Sequence, residues 1–137
     1  MEPVPTLDEA DTGAPPLEAL KESDTTETPL AERSAALYAR FFQVLSDPTR
    51  VRLLHLLLEA PETGRTVSEL VAALGAPQGR ISTHLGCLRW CGFVQPCREG
   101  KYVYYRIADP RVRELLRLGG AMMRDHAASI ASCGVIR

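Results

Sequence analysis

The chain has 137 residues, 45% of them hydrophobic, a formal net charge of −1 and four cysteines. That suits one domain with an appendage. No apolar run approaches the roughly 18–20 residues of a membrane span, and Met1-Glu-Pro-Val-Pro lacks the basic and apolar regions of an export signal. A cytoplasmic protein with no membrane partner is expected, whose cysteines are free thiols or metal ligands rather than disulfides.

The charge is divided unevenly. Residues 1–30 hold eight acids against Lys21 alone, a net of −7, while residues 31–137 hold nine acids against fifteen basic residues, a net of +6. Residues 1–29 also hold five of the ten prolines and few large apolar residues, which predicts an acidic, disordered tail. A basic domain of residues 30–132 follows, and its charge fits a polyanion. Residues 133–137 form a short C-terminal tail.

The domain opens with a helix over residues 31–46, where Leu37, Phe41, Val44 and Leu45 share a stripe. Asp47-Pro48 starts a second helix, with Asp47 as N-cap. Its expected core set is Val51, Leu54, Leu57 and Leu58, with His55 packed among them. A turn over Pro61–Arg65 leads to a short third helix. Thr66 and Glu69 form its capping box, Leu70, Val71 and Leu74 its core face, and Gly75-Ala-Pro77 its end. A fourth helix runs from Gln78 to Cys91, stopped by Gly92.

Helix, tight turn, helix at this spacing predicts a helix-turn-helix. Phe93–Arg98 and Lys101–Ile107 then alternate as two strands around Glu99-Gly100, with Val103, Tyr105 and Ile107 on the apolar face. Asp109-Pro110 caps a last helix over 110–131, bearing Val112, Leu115, Leu116, Leu118, Met122 and Met123. The fold class expected is mainly α with a small β-hairpin wing.

On the fourth helix, Ile81, Leu85 and Leu88 make the buried stripe. Gln78, Arg80, Ser82, Thr83, His84 and Arg89 fall outside it. Gln suits adenine, Arg suits guanine, and Ser or Thr suits phosphate or base edges, so this set is the candidate DNA-reading surface. Arg98 and Lys101 flank the wing tip as phosphate contacts. No CxxC motif, phosphate-binding glycine loop or nucleophile–base pairing points to an enzyme.

Asp47-Pro-Thr-Arg-Val-Arg-Leu-Leu54, Ser68-Glu-Leu70, Ile81-Ser-Thr-His-Leu85 with Leu88 and Gly92-Phe-Val94, and Glu99-Gly-Lys-Tyr-Val-Tyr-Tyr105 together resemble the ArsR/SmtB winged-helix repressors. The resemblance covers about residues 31–131. It implies a homodimer built on the first and last helices, bound to double-stranded operator DNA without metal and released when metal binds.

Cys87 and Cys91 stand one helical turn apart, away from the core stripe. Two thiolates at that spacing chelate one soft ion but leave it under-coordinated. The last helix runs along the dimer interface in the family the chain resembles, which makes Cys133 the best third ligand. Three thiolates favour Cd(II), Pb(II), Hg(II) or As(III) over oxygen-seeking ions. The third helix lacks the Cys-Val-Cys of arsenic repressors, and the last helix lacks the paired Asp, His and Glu ligands of zinc and nickel sensors. The string His84-Leu-Gly-Cys-Leu-Arg-Trp-Cys-Gly92 is similar to the CmtR-type cadmium/lead sensors.

A Cd(II)- or Pb(II)-released repressor is therefore the expected function, with Hg(II), As(III) and Zn(II) as alternative inducers. A thiol redox sensor that closes a Cys87–Cys91 disulfide is the rival. Cys97, in the wing, is expected to have no metal role, and His84 is a candidate further ligand as well as a DNA contact.

Overall fold

In the computed structural model, residues 32–136 are described. The expected acidic tail lies outside them. Helix α1 spans Glu32–Gln43 and stops short of the expected residue 46. Val44, Leu45 and Ser46 donate back to the carbonyls of Phe41, Phe42 and Gln43 at 3.0–3.1 Å, the i→i−3 tightening of a last turn.

Helix α2 spans Pro48–Leu58. Asp47 caps it as expected, its Oδ1 accepting from the backbone N–H of Thr49 at 2.8 Å and of Arg50 at 3.3 Å. Its buried face is turned from the expected one. Leu53, Leu54 and Leu57 are buried, Val51 and Leu58 are half-buried, and His55 is exposed rather than packed. At 100° per residue, 53, 54 and 57 form one arc, and 51, 55 and 58 form another turned about 120° from it.

Strand β1, Arg65–Thr66, takes the place of part of the expected turn. It pairs antiparallel with a later strand, Arg65 opposite Tyr105 and Thr66 opposite Tyr104. Gly64 precedes it at φ +89°, and a Cβ there would sit 2.2 Å from the Tyr105 carbonyl oxygen. Only glycine lets the chain enter this close against the sheet.

Thr66 then caps α3, Val67–Leu74. Both halves of the expected capping box form: Glu69 N donates to Thr66 Oγ1 at 3.2 Å, and Thr66 N donates to Glu69 Oε1 at 2.8 Å. Gly75 ends the helix in the left-handed conformation.

Helix α4 spans Gln78–Trp90. Its end is a Schellman motif: Gly92 N donates to Arg89 O and Phe93 N to Leu88 O, with Gly92 at φ +85°. The chain thereby reverses into β2, Val94–Glu99, which pairs antiparallel with β3, Tyr102–Ile107. The sheet order is β1-β3-β2. Leu53, Leu54, Leu70, Ile81, Leu85, Leu88 and Tyr105 are fully buried together, so α2, α3, α4 and the wing share one core.

Helix α5 spans Arg111–Asp125 and α6 Ala127–Ser132. The expected single last helix is thus broken at His126, whose φ of −127° leaves the helical region. Asp125 and His126 are both weak helix formers.

Replacing Leu85, fully buried at the centre of α4, by alanine removes contacts on every side. The expected cost is about 2–5 kcal/mol of unfolding free energy, against about 1 kcal/mol for Thr66→Ala at the cap. Urea unfolding followed by circular dichroism checks both values and their order.

Candidate functional site

With Ile81, Leu85 and Leu88 fully buried, α4 presents its other faces outward. Gln78, Arg80 and Thr83 are exposed, and Ser82 and Arg89 half-exposed. Thr83 Oγ1 donates to Gly79 O at 2.9 Å, one turn back along the helix. Gly86, between Ser82 and Thr83 on the helical wheel, is buried. At the wing tip Arg98 and Lys101 are exposed, with Lys101 Nζ 5.5 Å from the centroid of the Tyr102 ring.

His84 is placed differently from its neighbours. Its side chain is 16% exposed, with Nε2 3.7 Å from Asp47 Oδ1 and Nδ1 3.3 Å from Arg50 Nη1. It therefore joins α4 to the start of α2, and little of it remains to face a duplex. Arg50 completes the junction. Its Nε donates to Val44 O at 2.6 Å and its Nη2 to Gln43 O at 2.9 Å, joining the Ser46 N–H and hydroxyl that also donate to Gln43 O.

The thiol pair sits beside this junction. Cys87 is half-buried within α4, and Cys91 is the exposed capping residue. The Cys91 thiol donates a hydrogen bond to the Cys87 sulfur. That bond is the largest cause of a Cys87 pKa lowered to about 6, which burial opposes and the nearby Arg50 charge assists. The same bond holds the proton on Cys91 and pushes its pKa well up, with desolvation adding to it and the charges of Arg50 and Arg40 acting against it. The two thiols are thus coupled through one hydrogen bond, in the field of the Arg50 and Arg40 charges.

Cys133 lies past the end of α6, exposed. Its thiol pKa is lowered by backbone N–H groups of Val135 and Ile136. Among the described residues, no three His, Cys, Asp or Glu side chains come together as a metal-holding group. Cys87 and Cys91 fit a soft cation as two donors in a cation-flanked setting, and any third donor comes from outside this grouping. Cys97 is half-buried on β2 opposite Tyr104, and His126 marks the α5–α6 break.

A cavity of about 420 Å³ opens beside the pair, lined by Cys91 together with Phe41, Phe93, Val112 and Leu115. Sequence reasoning missed this cavity, and it missed Arg50 and Arg40 as electrostatic neighbours of the thiols. The Asp47-Pro-Thr-Arg50 segment was legible as a helix start. Its approach to residues some forty positions later carries no local signal.

The thiol asymmetry has a kinetic signature, because the thiolate is the nucleophile. Alkylation of Cys87 by iodoacetamide is expected to persist down to about pH 6 and to fall below it as Cys87 protonates. In Cys91→Ala the donor is gone, and the midpoint moves up toward the ordinary thiol range. Peptide-resolved mass spectrometry across pH checks both.

With this geometry in place, comparison with known proteins is specific. The family model described as bacterial regulatory protein, arsR family, matches residues 47–95. A protein from Streptomyces lividans named as a probable mercury resistance operon repressor is 43% identical over 95 residues, covering 69% of this chain and 74% of that protein. The transcriptional regulator CmtR of Mycobacterium tuberculosis is 40% identical over 84 residues, covering 61% of this chain and 68% of its own length. Among solved structures, a homodimeric winged helix-turn-helix DNA-binding domain from Mycobacterium bovis superposes with a TM-score of 0.61 at 31% identity, covering 73% of this chain and 93% of that one. The three-stranded wing, the helix-turn-helix and these relatives agree: the chain belongs to the ArsR family of bacterial regulatory proteins.

Proposed function

We propose that the chain is a homodimeric repressor that holds operator DNA through α4 and the wing and lets go when a soft metal ion binds Cys87 and Cys91. The observation that carries this reading is the thiol pair itself, hydrogen-bonded across the last turn of the helix whose outer face bears Gln78, Arg80, Ser82, Thr83 and Arg89. These side chains contact bases and phosphates, Arg98 and Lys101 add phosphate contacts, and His84 sets the angle of α4 against α2 through Asp47 and Arg50. The relatives' names, a mercury resistance repressor and CmtR, support a metal inducer.

A second copy supplies what one chain lacks. Leu37, Tyr38, Phe41 and Phe42 on α1, and Leu118, Met122 and Met123 on α5, are all exposed. That is more apolar surface than an isolated domain keeps in water, and a homodimer covers it. The Cys133 of the second copy is the proposed third ligand to Cys87 and Cys91.

A bound soft ion supplies a polarisable charge that three thiolates share. Cys91 must first surrender the proton it shares with Cys87, so inducer binding releases protons and weakens in acid. The Arg50 and Arg40 charges favour that deprotonation. Drawing the end of α4 toward another segment changes the angle between the two recognition helices and so their fit to two half-sites. Linkage requires the inducer to bind free protein more tightly than operator-bound protein.

The inducers proposed are Cd(II) and Pb(II). Hg(II) is the alternative favoured by the Streptomyces lividans relative. Saturating Cd(II) is expected to weaken operator binding by about 100-fold, and Cys87→Ser, Cys91→Ser and Cys133→Ser each to abolish that change. Fluorescence anisotropy with labelled operator and anaerobic titrations of Cd(II), Pb(II), Hg(II), As(III) and Zn(II) reads the effect and ranks the ions. Operator affinity indifferent to all five ions, together with release by peroxide, would replace metal sensing with the disulfide reading.

Salt dependence tests the DNA surface separately. Arg98→Ala and Lys101→Ala are each expected to reduce the slope of log affinity against log salt by about 1, without changing sequence preference.

A further inference from the structure

Two segments of equal length carry opposite charge. Residues 1–30 have a net of −7. Residues 78–107, from the start of α4 to the end of the wing, hold five basic residues against Glu99 alone, a net of +4. Most of the +6 carried beyond residue 30 is thus gathered on one stretch. Of its cations, Arg80, Arg98 and Lys101 are exposed, and Arg89 and Arg106 half-exposed. Several arginines elsewhere are taken up within the fold: Arg111 by Asp109, Arg117 by Glu114, Arg113 by the Leu58 carbonyl, and Arg50 by the carbonyls of Gln43 and Val44. Arg80 and Lys101 have no carboxylate partner among the described residues.

Chain length lets the two segments meet. The described residues begin with α1 at Glu32, so the acidic segment is joined to the helix whose far end meets α4 through Arg50 and His84. The twelve residues of α1 rise about 18 Å, whereas thirty residues reach up to about 100 Å when extended. The acidic segment has length to spare for the whole of α4 and the wing.

We propose that residues 1–30 dock through their carboxylates on the α4 and wing surface, and that DNA must displace them to bind. This rests on the reading of α4 and the wing as the DNA surface, and it adds a competitor carried by the chain itself. Covalent attachment gives the segment an effective concentration in the millimolar range, at which a weak ionic contact is well populated. A duplex is the denser polyanion, with one charge per about 1.7 Å of its axis. The segment spreads seven net charges over its thirty residues, so it attenuates DNA binding without blocking it. A face covered about nine-tenths of the time binds DNA about tenfold more weakly than a bare one. Displacing the segment also gives back part of the counterion release that DNA binding gains, which flattens the salt dependence.

Lys101 at the wing tip and Lys21 in the acidic segment are the only lysines of the chain. A carbodiimide joins a carboxylate to an amine only where the two touch, so a link from residues 1–30 to Lys101 reports this contact. The full chain is treated at about 0.01 M and about 1 M salt, between which the Debye length falls from about 30 Å to about 3 Å. The low-salt reaction is repeated with a mixed-sequence duplex of about 30 base pairs, whose binding is the sequence-independent ionic kind. Peptide mass spectrometry reads the links. Beside it, fluorescence anisotropy compares duplex affinity between about 0.05 and 0.2 M salt for the unsubstituted chain and one full-length variant. That variant carries Asp8→Asn, Glu9→Gln, Asp11→Asn, Glu22→Gln, Asp24→Asn and Glu27→Gln.

The expected result is a link between residues 1–30 and Lys101 at low salt, lost at high salt and in the presence of duplex. The variant is expected to bind duplex about tenfold more tightly at the lower salt, with a steeper salt slope. Absence of the low-salt link overturns the proposal even where the variant binds more tightly, because repulsion at a distance then accounts for the gain. A link that duplex leaves untouched, or a variant that binds no more tightly, overturns the competition. Duplex bound by neither chain removes the reading of α4 and the wing as the DNA surface, and the competition with it, whether or not the links form.

Discussion

The Arg50 guanidinium donates to the carbonyls of Gln43 and Val44 while meeting His84 Nδ1. Three helices converge on that one planar group: the end of α1, the start of α2 and the middle of α4. Each contact answers a specific need. The last carbonyls of α1 have no partner within their own helix, and α4, which starts without a side-chain cap, gains a fixed position from His84 held between Arg50 and Asp47. Charge-assisted hydrogen bonds of this kind contribute about 1.5–3 kcal/mol each. Without Arg50 the Val44 carbonyl loses the side chain bonded to it, whereas Gln43 O keeps the Ser46 N–H and hydroxyl.

The same charge also acts on the chemistry next to it. A thiolate one turn from a thiol is stabilised first by the hydrogen bond between them and then by the nearby guanidinium, and burial opposes both. The result is a pair poised unequally, Cys87 ready as a thiolate and Cys91 holding the shared proton. Because Cys91 caps α4, anything that takes both sulfurs acts on the end of the helix that carries the outward-facing polar side chains. The thiol pair and the face proposed to read DNA are not linked by a long path. They are two faces of one helix, braced by Arg50 and His84.

Apolar surface is distributed on a different logic in the two halves of the chain. The α2–α3–α4–wing unit buries Leu53, Leu54, Leu70, Leu85 and Leu88 completely. Helix α5 buries only Val112 along its length, and α1 leaves two phenylalanines, a tyrosine and a leucine exposed. The first unit is a finished core, whereas α1 and α5 are half of one. This contrast supports the proposed homodimer. It also places the cavity at Cys91 where the finished core meets the unfinished one, between Phe93 on one side and Phe41 and Leu115 on the other.

The helix-turn-helix and the wing hairpin were legible from the sequence because their signals are local. The Asp47 cap, the Thr66–Glu69 capping box, Gly75 and Gly92 as stops, and the Ile81–Leu85–Leu88 stripe each act within a few residues, and the structure repeats them. The spacing of Cys87 and Cys91 was legible for the same reason. The phase of α2, the two-residue β1 and the break at His126 were not, because tertiary packing decides which of several leucines turns inward and a two-residue strand has no period. The inward turn of His84, the guanidinium beside the thiols and the apolar cavity at Cys91 belong to the tertiary structure alone. They join Phe41 and Arg50 to residues near 90 and 112, and no periodicity along the chain records which distant side chains a fold will set side by side.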